Sequence, residues 1–179
     1  MKLEPAPAWV HWDHSEAGTW PAPDDLAVDL NAHAGPGWLE AIGERVSRRL
    51  LRCRLPPVVG HVDWESHNLA WRNGEPVAVH DWDSVAARPE AAVAGAAGAV
   101  FASLGPVIAA TADQTQTFLD AYCKERDRAW STEELEVAWA AGLWVLAYNA
   151  KKESLAAESG PYLAQVSMEA EARLLKAGA

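Results

Sequence analysis

The sequence predicts a mainly α fold, a helical body interrupted by one short β-hairpin. Three observations carry the prediction. Apolar residues recur at helical spacing over several long segments, the clearest of them opened by the capping box Ser131-Thr-Glu-Glu134. Asn73-Gly74 stands between the apolar runs that begin at Leu69 and end at Val79. Both turn residues tolerate positive φ, so the chain doubles back there as a hairpin. Half of the 179 residues are hydrophobic, which suffices for one packed core.

Residues 1–34 carry Pro5, Pro7, Pro21 and Pro23 among Trp9, Trp12 and Trp20. Frequent prolines argue against regular structure, and the tryptophans argue for burial. An extended arm packed across the helical body is expected, followed by a single domain over 35–179. A helix is predicted over about 37–54, with Trp38, Leu39, Ile42, Val46, Leu50 and Leu51 at apolar spacing and Arg48, Arg49 and Arg52 outward. Pro56-Pro57 ends it. After the hairpin, Arg88-Pro89-Glu90 opens a second helix. Ala94, Gly95, Ala97 and Gly98 on it permit close backbone approach. A third helix is predicted over about 106–126, anchored by Ile108, Phe118, Leu119 and Tyr122. The capped fourth runs to about 152, with Leu135, Trp139, Leu143 and Leu146 on one face and Trp144 and Tyr148 on another, so it is buried on most sides. The last spans about 161–176.

The chemistry sits around the hairpin. Asp63 is followed by Asn68 five positions on, and by Asp81 thirteen beyond that. Asp63 and Asn68 lie on the loop entering the first strand, and Asp81 lies at the end of the returning one, so the hairpin brings the three together. Phosphoryl transfer asks for such a set: a carboxylate to orient and deprotonate the attacking hydroxyl, and hard oxygens to hold Mg²⁺ against nucleotide phosphates. Asp63 is the candidate base, and Asn68 and Asp81 are the candidate Mg²⁺ ligands. Glu65, Asp83 and Glu90 are candidate substrate-facing acids.

The segment His61-Val-Asp63-Trp64-Glu-Ser-His-Asn68-Leu69, with Val79-His-Asp81-Trp82 after it, resembles the catalytic loop and metal-binding motifs of the aminoglycoside phosphotransferase/choline kinase-like family. The resemblance implies a protein-kinase-like C-terminal lobe, the helical part of an α+β parent fold. It implies ATP and Mg²⁺ as cofactors and transfer of the γ-phosphoryl group to a hydroxyl of a small molecule. It also implies that His61 shapes the loop through its ring. Sixty residues precede His61, with no Gly-rich loop between strands and Lys2 as their one lysine. The resemblance therefore covers a C-terminal lobe with the N-terminal lobe absent. A chain of this kind is expected to turn over ATP very slowly or not at all on its own. It is also expected to bury its lobe-facing surface under the Trp-rich arm, in a homodimer, or against a separate N-lobe partner. Ala92 stands where many relatives place a further Asp.

A net charge of −10 argues against nucleic acid and anionic membranes as partners, and it suits a cationic acceptor such as an aminoglycoside or another amine. Cys53 and Cys123 are far apart and in no metal-ligand spacing. They read as free thiols in a reducing compartment, and with no apolar signal segment the expected location is cytoplasmic. The rival reading is a non-catalytic helical binding module derived from the same fold.

Overall fold

The computed structural model describes residues 7–102, 107–155 and 160–179. Among the described residues there are five α-helices: α1 (Gly37–Leu51), α2 (Glu90–Val100), α3 (Ala112–Glu125), α4 (Thr132–Glu153) and α5 (Pro161–Ala177). Four strands, β1 (Pro57–His61), β2 (Leu69–Arg72), β3 (Glu75–Val79) and β4 (Val85–Pro89), form two separate two-stranded antiparallel sheets. The architecture is predominantly helical with a small β component. Among the described residues no helix is long and apolar enough to cross a membrane.

Helix α4 is the centre of the packing. It lies against α1, α2 and α5, and every residue from Val137 to Tyr148 is buried. Its start is set by Ser131, whose side chain accepts from the Glu134 amide while the Glu134 carboxylate accepts from the Ser131 amide at 2.8 Å. Ser131→Ala is expected to remove about 1 kcal/mol and to lower the melting temperature by about 2–4 °C. Calorimetry checks this; an unchanged melting temperature would mean that packing alone fixes the helix start.

The contact between α2 and α4 is made by glycine. A Cβ on Gly95 would collide with the Ala138 carbonyl, and one on Gly142 would come within 2.8 Å of the Gly95 oxygen. Backbone therefore lies on backbone. This close approach is what keeps the short, alanine-rich α2 fully packed despite its lack of large side chains.

The arm packs as a set of specific contacts. Trp20 stacks on Trp144 at 5.5 Å, and its Nε1 donates to Glu40 at 2.6 Å. Trp144 Nε1 in turn donates to the Trp9 carbonyl. Arg88 holds Asp13 through both guanidinium nitrogens, at 2.7 and 2.9 Å, and covers the Trp12 ring. Lys151, buried, is neutralised by Glu40 at 2.5 Å and also donates to the His33 carbonyl. The arm thus lies over α1, α4 and β4. Val59, Trp71, Val77 and Trp82, near the hairpin, remain exposed.

Four expectations are corrected. The hairpin is joined by a second sheet, β1 with β4 in register Pro57↔Pro89 to His61↔Val85. Its strands lack an alternating apolar pattern, so nothing local marks them. The third helix begins at Ala112, because Thr111 and Gln114 form a capping box there. Ile108 lies before the helix and is partly exposed; the Pro106 start and the Gly105-Pro106 break lie outside the described residues. Trp38, Leu51 and Leu135 stand in solvent at helix ends, while Leu39, Ile42, Val46 and Leu50 carry the buried stripe of α1. Arg49, expected outward, pairs with Glu136 at 2.8 Å.

Candidate active site

The loop between β1 and β2 is pinned from both sides. The Val62 amide donates to the Ser84 carbonyl, and a 3-10 turn over Ser66–Asn68 leads into β2. Across that turn the Asn68 side-chain amide reaches back to Asp63 and donates to its carbonyl at 2.9 Å and to its carboxylate Oδ2 at 2.8 Å. The five-residue spacing seen in the sequence is the length of this loop-closing contact. Both residues are buried.

The hairpin turn has φ of 54° at Asn73 and 82° at Gly74, the left-handed pair a two-residue turn requires. The returning chain leaves β3 at Val79. His61 Nε2 then donates to the His80 carbonyl at 2.9 Å, and the His80 amide donates to the Asn68 carbonyl at 2.8 Å. Asp81 follows in the left-handed region, with φ 61° and ψ 47°. Asp tolerates that conformation better than most residues, and strain of this kind persists where the surroundings impose it. His61 is ringed edge-on by Trp64 and Trp82 at 5.7 and 5.6 Å.

Burial is the main cause that raises the Asp63 carboxyl above its ordinary range; the Asn68 hydrogen bond opposes it. Asp81 is raised for a different reason. The adjacent Asp83 carboxyl is the largest cause, and desolvation and the negative charges of Asp83 and Asp63 add to it. The Asp63 charge is therefore felt at Asp81.

Asp63 and Glu65 open on a pocket of about 360 Å³. Trp9 and Asp25 of the arm and Asn149, Lys152 and Glu153 of α4 form much of the rest of its wall. Four carboxylates face one ammonium. Lys152 is held by Asp25, Glu65 contacts His67 Nδ1 at 3.2 Å, and Glu153 accepts from the Tyr162 and Leu163 amides at the start of α5. Asn68, Asp81 and Asp83 do not line this pocket. Glu90 lies elsewhere, bound by Tyr122, Arg126 and Arg128. Trp9, Asp25, Asn149 and Lys152 were not legible as site residues, because only the folding of the arm onto α4 brings them to the loop.

Asn68 and Asp81, the expected Mg²⁺ ligands, offer one amide oxygen and one carboxylate, with the Asn68 amide nitrogen engaged by Asp63. Among the described residues no group of three His, Cys, Asp or Glu is gathered as a metal cage. Such a set fits Mg²⁺, which keeps several waters and is shared with phosphates, better than a metal enclosed by protein.

Compared with models of known families, with characterised proteins and with solved structures, the chain matches none.

Proposed function

We propose that the protein is an ATP-dependent phosphotransferase of the kinase-like type, acting on a hydroxyl of a small amine-bearing acceptor. The observation that carries this reading is the Asn68 hydrogen bond to Asp63, which orients a buried carboxylate at the edge of an acid-lined pocket. With Oδ2 engaged by Asn68, the other carboxylate oxygen accepts the hydroxyl proton as the acceptor oxygen attacks the γ-phosphorus and ADP leaves. A carboxylate raised by burial is a stronger base than one in water. Mg²⁺ would be held by Asn68 and Asp81 and would neutralise the phosphate charge. Asp25 and Glu65 select for a cationic acceptor.

A direct test is acceptor binding by calorimetry, with a panel of amino sugars and amino alcohols. Product is followed by mass spectrometry after long incubation with ATP and Mg²⁺. Amine-bearing acceptors are expected to bind better than their neutral counterparts. Asp25→Asn and Glu65→Gln should each weaken that binding about three- to tenfold, the effect of one partly exposed ion pair. If neutral and cationic acceptors bind alike, the acceptor class is wrong. A second reading, a binding module without catalysis, draws on one observation: Asp81 lies outside the pocket on which Asp63 opens. Acceptor binding with no phosphorylated product would favour it.

A further inference from the structure

A second pocket, of about 370 Å³, lies on the other side of the same loop, and it shares no wall residue with the Asp63 pocket. We propose that it is a binding site for a small planar aromatic molecule carrying one N–H or O–H donor, and that its occupancy is felt by the Asp63 loop.

The walls define the ligand. Trp64, Trp82, Phe118 and Tyr122 offer aromatic surface, while Ala94 and Ala97 of α2 leave a flat, narrow floor. Offset and edge-on stacking on such walls favours a flat ring over a branched aliphatic body. The volume is in the range of ordinary small-molecule sites. Among the described residues no Asp, Glu, Lys or Arg side chain lines the pocket, so a phosphate or an ammonium would lose its hydration there without a partner. This separates the ligand from both the nucleotide phosphates and the proposed acceptor.

The polar content is narrow. The Tyr122 hydroxyl donates to Glu90 at 2.8 Å. His61 stands in the wall, more than nine-tenths buried, and its Nδ1 has no hydrogen-bond partner among the described residues. Its Nε2 faces the His80 carbonyl, which can only accept, so in the neutral ring the proton is on Nε2 and Nδ1 is a bare acceptor. A buried acceptor without a donor is an unfilled requirement; Nδ1 is closed to solvent beneath the Trp64 and Trp82 rings, so a ligand N–H or O–H meets it by displacing one of these rings.

The same contact supplies the coupling. A donor at Nδ1 holds the ring in the tautomer that bonds His80, the residue before Asp81. Trp64 and Trp82, the aromatic jaws, directly follow Asp63 and Asp81. Val59 and Trp82, 73% and 62% exposed, form the mouth.

The test uses indole as probe and benzofuran as its isostere without the N–H, followed by ligand-observed NMR and amide spectra of the full chain. Indole is expected to bind with a dissociation constant at or below about 1 mM, and benzofuran about three- to tenfold more weakly. Indole should shift the amides of Asp63, Trp64 and Asp81. Val59→Trp, at an exposed strand position, should close the mouth and weaken both probes at least about tenfold. His61→Gln keeps a donor for the His80 carbonyl and should make the two probes equal. No saturable binding to the folded chain would overturn the proposal, as would undiminished binding to Val59→Trp or equal affinity of the two probes for the unaltered chain. Sedimentation showing a dimer that Val59→Trp abolishes would assign this face to a second copy of the chain and would also overturn it. None of these readouts depends on phosphoryl transfer.

Discussion

Asp63→Asn is expected to abolish the slow formation of phosphorylated acceptor, a loss of about 100- to 10,000-fold being the range for a positioned general base, and to leave acceptor binding intact. Asn retains an oxygen for the Asn68 amide, so the loop-closing bond survives while the proton acceptor is lost. The same variant has a second, opposite signature in stability. Burial raises the Asp63 carboxyl in the folded state, so folding favours its protonated form. Below the unfolded pKa both states carry the proton and Asp63 imposes no penalty. As pH rises through the raised folded pKa, the ionised group in its buried place weighs against the fold. Asp63→Asn should therefore melt like the unaltered chain near pH 3 and become relatively more stable toward neutrality. Mass spectrometry of product and melting curves over that pH range check the two signatures. Undiminished product would remove Asp63 as the base, and a variant that loses stability toward neutral pH would contradict the burial argument.

Gly95→Ala is expected to be among the most damaging single-methyl additions in the molecule. The added carbon would meet the backbone of Ala138, not the flexible end of a side chain, so α2 and α4 must separate. Overpacking of this kind typically removes about 1–3 kcal/mol. A rigid backbone neighbour places it at the upper end, a fall of about 6–12 °C in melting temperature for a chain of this size. Gly98→Ala is the control: its added carbon would meet the Phe118 ring at 3.0 Å, a side chain that can shift. Calorimetry on the two variants separates the cases, and equal losses would show that the α2–α4 crossing yields.

Much of the helical plan was legible because its signals are local. The Ser131 capping box, the 3.6-residue apolar stripe of α1 and the proline at the start of α5 each act within one or two turns of chain. The hairpin was legible for the same reason: Asn73-Gly74 carries its own backbone preference. The Thr111 capping box was equally local and marks the true start of α3, although the apolar residues before it suggested an earlier one. The β1–β4 pairing was not legible, since residues 57–61 and 85–89 meet only after the hairpin between them has closed.

For the candidate site the division is similar. The spacing of Asp63, Asn68 and Asp81 is a property of the chain, and it alone determined that an amide five residues on can reach back to a carboxylate. The tertiary structure decided what surrounds them. Trp9 and Asp25 reach the Asp63 pocket through the stacking of Trp20 on Trp144, and Asn149 and Lys152 reach it through the burial of α4. The aromatic pocket behind His61 likewise draws on β1, α2 and α3, far apart in sequence. Short-range hydrogen bonding is written in neighbouring residues, whereas a pocket is a gap between surfaces, and its walls exist only once packing has chosen which surfaces meet.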